Sequence, residues 1–157
     1  MKAATVSRIK KDISIKNHDE LVELCLRLAK FKKENKELLT YLLYEADDEA
    51  YFVENVKTEM ANEFSQINKE SYYYIKKSVR KILRTTKKYI RYSKQTRTEL
   101  DLHIYFCTLL KDMHPPMERD IALHNFYDRQ IGAIQKKITK LHEDLQYDYT
   151  LELEPLL

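Results

Sequence analysis

The residues whose type and spacing come closest to chemistry are nine cations repeating at helical intervals: Lys76, Lys77, Arg80, Lys81, Arg84, Lys87, Lys88, Arg91 and Lys94. At about 100° per residue they fall in one arc of roughly 140°, with Tyr73 in its midst and Tyr74 and Tyr92 on its far border. From Lys69 to Arg97 the chain has eleven Lys or Arg and one acid, Glu70, while its total charge is only +3, so the remainder is net acidic. An arc of this kind can hold an anion. Lys76, Lys77, Arg80, Arg84, Lys87, Lys88 and Arg91 would supply the charge, and the Tyr73 ring could stack on a base or receive a guanidinium. Like charges at i,i+4, such as Arg80 with Arg84, each cost roughly 0.2–0.5 kcal/mol. Something anionic should therefore face them. Two sources are open: the acid run Glu45, Asp47, Asp48, Glu49, Glu54, Glu59 and Glu63 just upstream, or an external partner.

A second constellation has the spacing of metal ligands. His103 and Cys107 stand at i and i+4, and His124 and Asp128 repeat that spacing on a later helix. Two helices giving two ligands each would complete a four-ligand zinc site. The competing reading makes His103 a residue beside the core and Cys107 an inert core thiol. A di-iron site is excluded more firmly, because no Glu-x-x-His occurs. With a single glycine, Gly132, there is no phosphate-cradling loop, which removes nucleotide-binding readings of that type. Cys25 and Cys107 lie in apolar periodic segments rather than glycine-flanked turns, so neither reads as a nucleophile. His18, His114 and His142 read as caps or surface residues.

One Gly, three Pro and 34% charged residues leave little turn or strand chemistry, and an all-α fold follows. Residues 1–17 read as a flexible arm or a short helix, with the arm preferred. A first helix is predicted over about 19–33 with Leu21, Leu24, Cys25, Leu28 and Phe31 on one side, then a kink or break at 32–36. Asp47 and Asp48 start a helix running to about Ile67, whose buried stripe is Val53, Val56, Met60, Phe64 and Ile67. A turn at Asn68–Ser71 separates it from the basic helix, whose core stripe is Tyr72, Ile75, Val79, Ile82, Leu83, Thr86, Tyr89, Ile90 and Ser93.

Thr96-Arg97-Thr98-Glu99 matches a capping box. The helix behind it is apolar around most of its circumference and should be the most buried element. His114-Pro115-Pro116 ends that helix. A last helix is predicted from about Met117 to near Tyr147, carrying the seam Tyr127, Ile131, Ile134, Ile138, Leu141 and Leu145 at 4-3-4-3-4 spacing. Gly132 inside it suggests a close helix approach. Residues 150–157 read as a tail, either packed or disordered.

These elements suggest a single helical domain, 1–157, built as an irregular bundle of five to six mostly antiparallel helices, or alternatively as an α-α superhelix of HEAT-like stacking. Two isolated thiols, no apolar run of about 18 residues and no apolar signal core make a cytoplasmic, unexported chain the expectation, without integral membrane association. The functional expectation is a non-enzymatic interaction protein, without a cofactor, that uses the basic face 76–94. An acidic protein surface is the preferred partner. A nucleic acid is the alternative, since nucleic-acid readers usually add basic loops and more net charge. The metal-binding reading at His103, Cys107, His124 and Asp128 is the other alternative, and the 127–145 seam could also join two copies as a homodimer.

Overall fold

Helix formers dominate the chain at every scale, and the computed structural model, which describes all 157 residues, accordingly contains eight α-helices and no strand. They are α1 (Val6–Ser14), α2 (His18–Phe31), α3 (Lys33–Thr40), α4 (Glu49–Ser65), α5 (Tyr72–Ser93), α6 (Thr96–Lys111), α7 (Ile121–Ile138) and α8 (Glu143–Leu153). A π-helical turn covers Tyr41–Glu45, and 3-10 turns cover Met117–Arg119 and Glu154–Leu156. The helices outnumber the five or six expected. The chain divides into two compact units, Met1–Tyr44 and Glu45–Leu157. No helix is long and apolar enough to cross a membrane.

In the first unit the expected arm is helical. Thr5 caps α1 by accepting from the Arg8 amide, yet no residue of this helix is buried. A capping box starts α2: the Asn17 side chain accepts from the Glu20 amide at 2.9 Å and the Glu20 carboxylate accepts from the Asn17 amide at 3.0 Å. Extended backbone at Lys32 (φ −140°) breaks the helix there rather than kinking it. The Asn35 side chain then donates to the freed Leu28 carbonyl at 2.8 Å, and α3 packs against α2. Much of the expected stripe is not covered. Leu24, Leu28 and Phe31 are exposed, and so is Cys25, which the sequence places in the core.

The second unit is organised around α6, which packs against α4, α5, α7 and α8. Leu100, Leu102, Phe106, Cys107 and Leu110 are fully buried, as the apolar circumference of this helix requires. The α4 stripe of Val53, Val56, Met60, Phe64 and Ile67 is buried as expected. The turn between α4 and α5 forms where Asn68 accepts from the Glu70 amide through its side chain at 2.9 Å. On α5 the stripe Ile75, Val79, Ile82, Leu83 and Thr86 is buried, whereas Tyr72, Tyr89, Ile90 and Ser93 are only half covered. Tyr92 is a correction. Assigned to the border of the cationic arc, it is instead buried, its ring edge-on to Tyr89 at 6.1 Å.

Three further expectations change. The capping box at Thr96–Glu99 does not form: Gln95 is the N-cap without a side-chain bond, Thr98 donates to Glu49 at 2.5 Å, and Glu99 pairs with Lys137. The long last helix breaks after Ile138, and His142 caps α8 by accepting from the Asp144 amide. Its seam is intramolecular. Tyr127, Ile131, Ile134 and Ile138 are buried in this unit, and Leu141 and Leu145 are half-buried. The 150–157 tail is ordered, with Leu153 and Leu156 buried and the Leu156 carbonyl accepting from the Tyr127 hydroxyl at 2.7 Å.

Gly132 does not serve close helix approach, because a methyl placed on it meets no neighbouring atom within 4 Å. Its cost is then purely conformational. Gly132→Ala is expected to stabilise the unit by about 0.5–1 kcal/mol, since alanine loses less backbone freedom in a helix interior. Urea denaturation checks this, and a midpoint that stays put or falls contradicts it.

Candidate anion-binding face

The α5 face is displayed because the opposite stripe of the helix is apolar and buried against α4 and α6. Its 22 residues make a rod of about 33 Å at 1.5 Å per residue. The N-terminal end is anchored: the Tyr72 hydroxyl donates to the Pro116 carbonyl at 2.6 Å, and the Lys76 ammonium donates to Asp120 at 2.9 Å. That ammonium, with the Leu123 amide, holds the Asp120 carboxyl below the usual carboxylate range. Lys76 is therefore engaged inside the chain and not available as an independent binding cation.

No acid of the chain forms an ion pair with Lys77, Arg80, Arg84, Lys87 or Arg91 of the arc. Asp48 caps α4 by accepting from the Tyr51 amide, Glu54 pairs with Lys57, and Glu59 accepts from the Tyr89 hydroxyl at 3.1 and 3.2 Å. Glu49 accepts from the Ser93 and Thr98 hydroxyls. Glu63 comes nearest in effect: burial, then repulsion from Glu59, pushes its pKa up, while Lys81 and Lys88 draw it back down. It makes no ion pair with either. Lys88 is half-buried, its ammonium 5.0 Å from the Tyr89 ring centre.

This leaves Lys77, Arg80, Arg84, Lys87 and Arg91 exposed and outside every ion pair of the chain. Their 3-4-3-4 spacing puts them in one row, a cation about every 5 Å. Tyr73 is 68% exposed and its ring meets Tyr74 edge-on at 5.3 Å. With Lys76, Lys77, Arg80 and Arg84 it lines a shallow groove of about 540 Å³. Seven of the eight residues chosen from sequence thus remain on the surface or partly so, and one, Lys76, is tied to Asp120.

The metal constellation is not assembled. No group of three or more His, Cys, Asp or Glu stands close enough to hold an ion. Cys107 has no exposed surface, and burial pushes its thiol up to about 12, so it stays protonated. His103 is buried with Nε2 at 3.1 Å from the Gln130 side-chain oxygen. The Gln130 amide nitrogen donates to the Phe126 carbonyl at 3.2 Å, which turns its oxygen toward the ring and makes His103 Nε2 the protonated nitrogen. His124 and Asp128 form an exposed pair of their own at 3.6 Å. The i,i+4 spacing was real, but the two pairs occupy different environments.

Burial lowers the His103 pKa, and Lys87 and Lys137 reinforce the shift while Gln130 and Glu99 oppose it. A depressed histidine is protonated in the unfolded chain before it is in the folded one. Stability should then fall as pH drops through about 6.5, the unfolded value, toward the lower folded value. Replacing His103 by Asn is expected to flatten the dependence of urea midpoint on pH between about 7.5 and 5.5. An equal slope in both proteins would show that His103 does not carry it.

Comparison of the chain with protein-family models, curated proteins and solved structures gives no match.

Proposed function

We propose that this chain is a binding protein that takes an acidic protein partner along the row Lys77, Arg80, Arg84, Lys87 and Arg91 of α5. The observation that supports it is the exposure of all five cations without an acid of the chain against them. A row repeating every three and four residues is complementary to an acid row of the same period on a partner helix, where facing charges set orientation and register. Charge complementarity of this kind governs association rate and partner choice more than bulk affinity. We read the second unit as a bundle enclosing α6, which packs against α4, α5, α7 and α8. The bundle gives α5 a rigid backing.

A nucleic-acid strand is the second reading, favoured by one observation: Tyr73 stands open in the cationic groove, where its ring is free to stack on a base. Fluorescence anisotropy with a Glu-rich helical peptide and with single-stranded RNA, each at low and raised salt, separates the two. Tighter binding of the peptide supports the protein partner. RNA binding that depends on the Tyr73 ring supports the strand, and the absence of binding to either at low salt removes both.

A further inference from the structure

Sharing Lys87 and Arg91 with the exposed row, the C-terminal half of α5 forms one wall of a second concavity, a cleft of about 660 Å³ shared with α6 and α7. That size is ordinary for a small-molecule site, commonly about 300–1,000 Å³. Lys87, Arg91 and Lys94 enter it from α5 and Lys137 from α7, and Glu99 of α6 is its one acid. Glu99 is already paired with Lys137. Three cations are left without a counter-charge, converging from the end of α5 on one space. Between them the walls are apolar: Ile90, Leu100, Ala133 and Ile134. The polar ring behind them is spent, because His103 Nε2 is bonded to Gln130.

We propose that this cleft binds a phosphate monoester carrying an apolar body. A dianionic phosphate meets Lys87, Lys94 and the planar fork of Arg91, which suits bidentate contact with phosphate oxygens. The apolar body lies against Ile90 and Ala133, with the buried Leu100 and Ile134 behind them. Neither half suffices alone: a bare anion leaves the apolar wall wet, and a neutral apolar molecule leaves three cations unanswered. The site shares Lys87 and Arg91 with the α5 row, while Lys94, Ala133, Ile134 and Lys137 lie outside it.

The test is calorimetric titration of the full chain with 1-naphthyl phosphate, inorganic phosphate and 1-naphthol. The ester is expected to bind at least about tenfold more tightly than either fragment, as two joined contacts should. Equal or undetectable binding of all three overturns the proposal. Ala133→Phe fills the cleft from an exposed helical position and should weaken the ester by about tenfold or more while leaving peptide binding by the row intact. Arg91→Gln, also at an exposed position, should weaken it similarly, so a folding defect in one variant does not shield the idea. Unchanged ester affinity in both variants places the binding elsewhere and overturns the cleft. Sedimentation with phosphatidic acid vesicles assigns the source: co-pelleting that Ala133→Phe loses puts the phosphate on a lipid, and a chain that stays in solution while binding the naphthyl ester puts it on a soluble molecule. If the ester binds and no acidic peptide or RNA does, the cleft stands and the row falls.

Discussion

Arg80→Glu combined with Arg84→Glu is expected to abolish binding of an acidic peptide while leaving the fold as stable as before or slightly more so. The opposite signs come from one cause. In the native helix Lys76, Arg80, Arg84 and Lys88 succeed one another at i,i+4, and each like-charge step costs a few tenths of a kcal/mol, roughly 0.2–0.5. Neither arginine has an internal partner whose loss would offset the gain. With glutamate at 84, Lys88 follows four residues later in the favourable orientation, and glutamate at 80 follows Lys76. For a partner the same change turns two attractions into two repulsions at the centre of the row. Should RNA prove to be the ligand, native binding should weaken steeply with salt, and the slope of log K against log salt should fall by about one unit per phosphate contact removed. Anisotropy against salt, alongside urea denaturation, reads both effects. Loss of folding in the double variant would show that the row is held by contacts of its own; unchanged peptide binding would show that the partner sits elsewhere.

Ile134→Asp should be the most damaging single substitution on α7. Ile134 has no exposed surface, so an aspartate there gives up water for a buried position. Burying an unpaired acid belongs to the short list of changes that exceed about 4 kcal/mol. Against a total stability of about 5–15 kcal/mol, that leaves a large unfolded fraction. A graded series fixes the mechanism: Ile134→Val at about 1 kcal/mol and Ile134→Ala at about 2–5 kcal/mol report lost packing alone. An aspartate variant melting with the wild type would mean that this face of α7 is wet.

Local periodicity made much of the second unit legible. The stripes of α4 and α5, the enclosed α6 and the breaks at Asn68–Ser71 and His114–Pro116 each follow from residue spacing, turn chemistry or proline. What periodicity does not encode is which neighbour covers a face. Leu28 and Phe31 have the spacing of a core stripe and are exposed. Tyr92 has the angle of a border residue, yet its ring is long enough to reach Tyr89 and be buried. The unpaired state of the α5 row was likewise invisible, because Glu54 and Glu59 are close in sequence but spend their oxygens on Lys57 and on the Tyr89 hydroxyl. Spacing found His103 and Cys107 as neighbours on one helix. Only the packing of α6 against α7 shows that Gln130, not a metal, meets that imidazole.

The first turn of α6 carries its own consequence. Of the Thr96 and Glu99 pair that would ordinarily start the helix by bonding to its first amides, Glu99 is drawn off to Lys137, and Thr98 beside it is drawn off to Glu49. A helix must fix several residues before its first bond forms, so without a local starter its birth is slow in isolation. The most enclosed rod of the molecule then has to wait for contacts made across 49 residues of chain in the case of Thr98 and Glu49. Such distant closures are what set a slow pace of folding. Once made, they bind the fates of α4, α6 and α7 together, so amides in the middle of α6 should exchange with solvent only when the whole unit opens, at the same free energy as those of α4. Hydrogen exchange under rising urea would show the two sets converging on one line. Separate lines would mean that α6 comes apart on its own, and that its borrowed starting residues do not tie the helices into one cooperative piece.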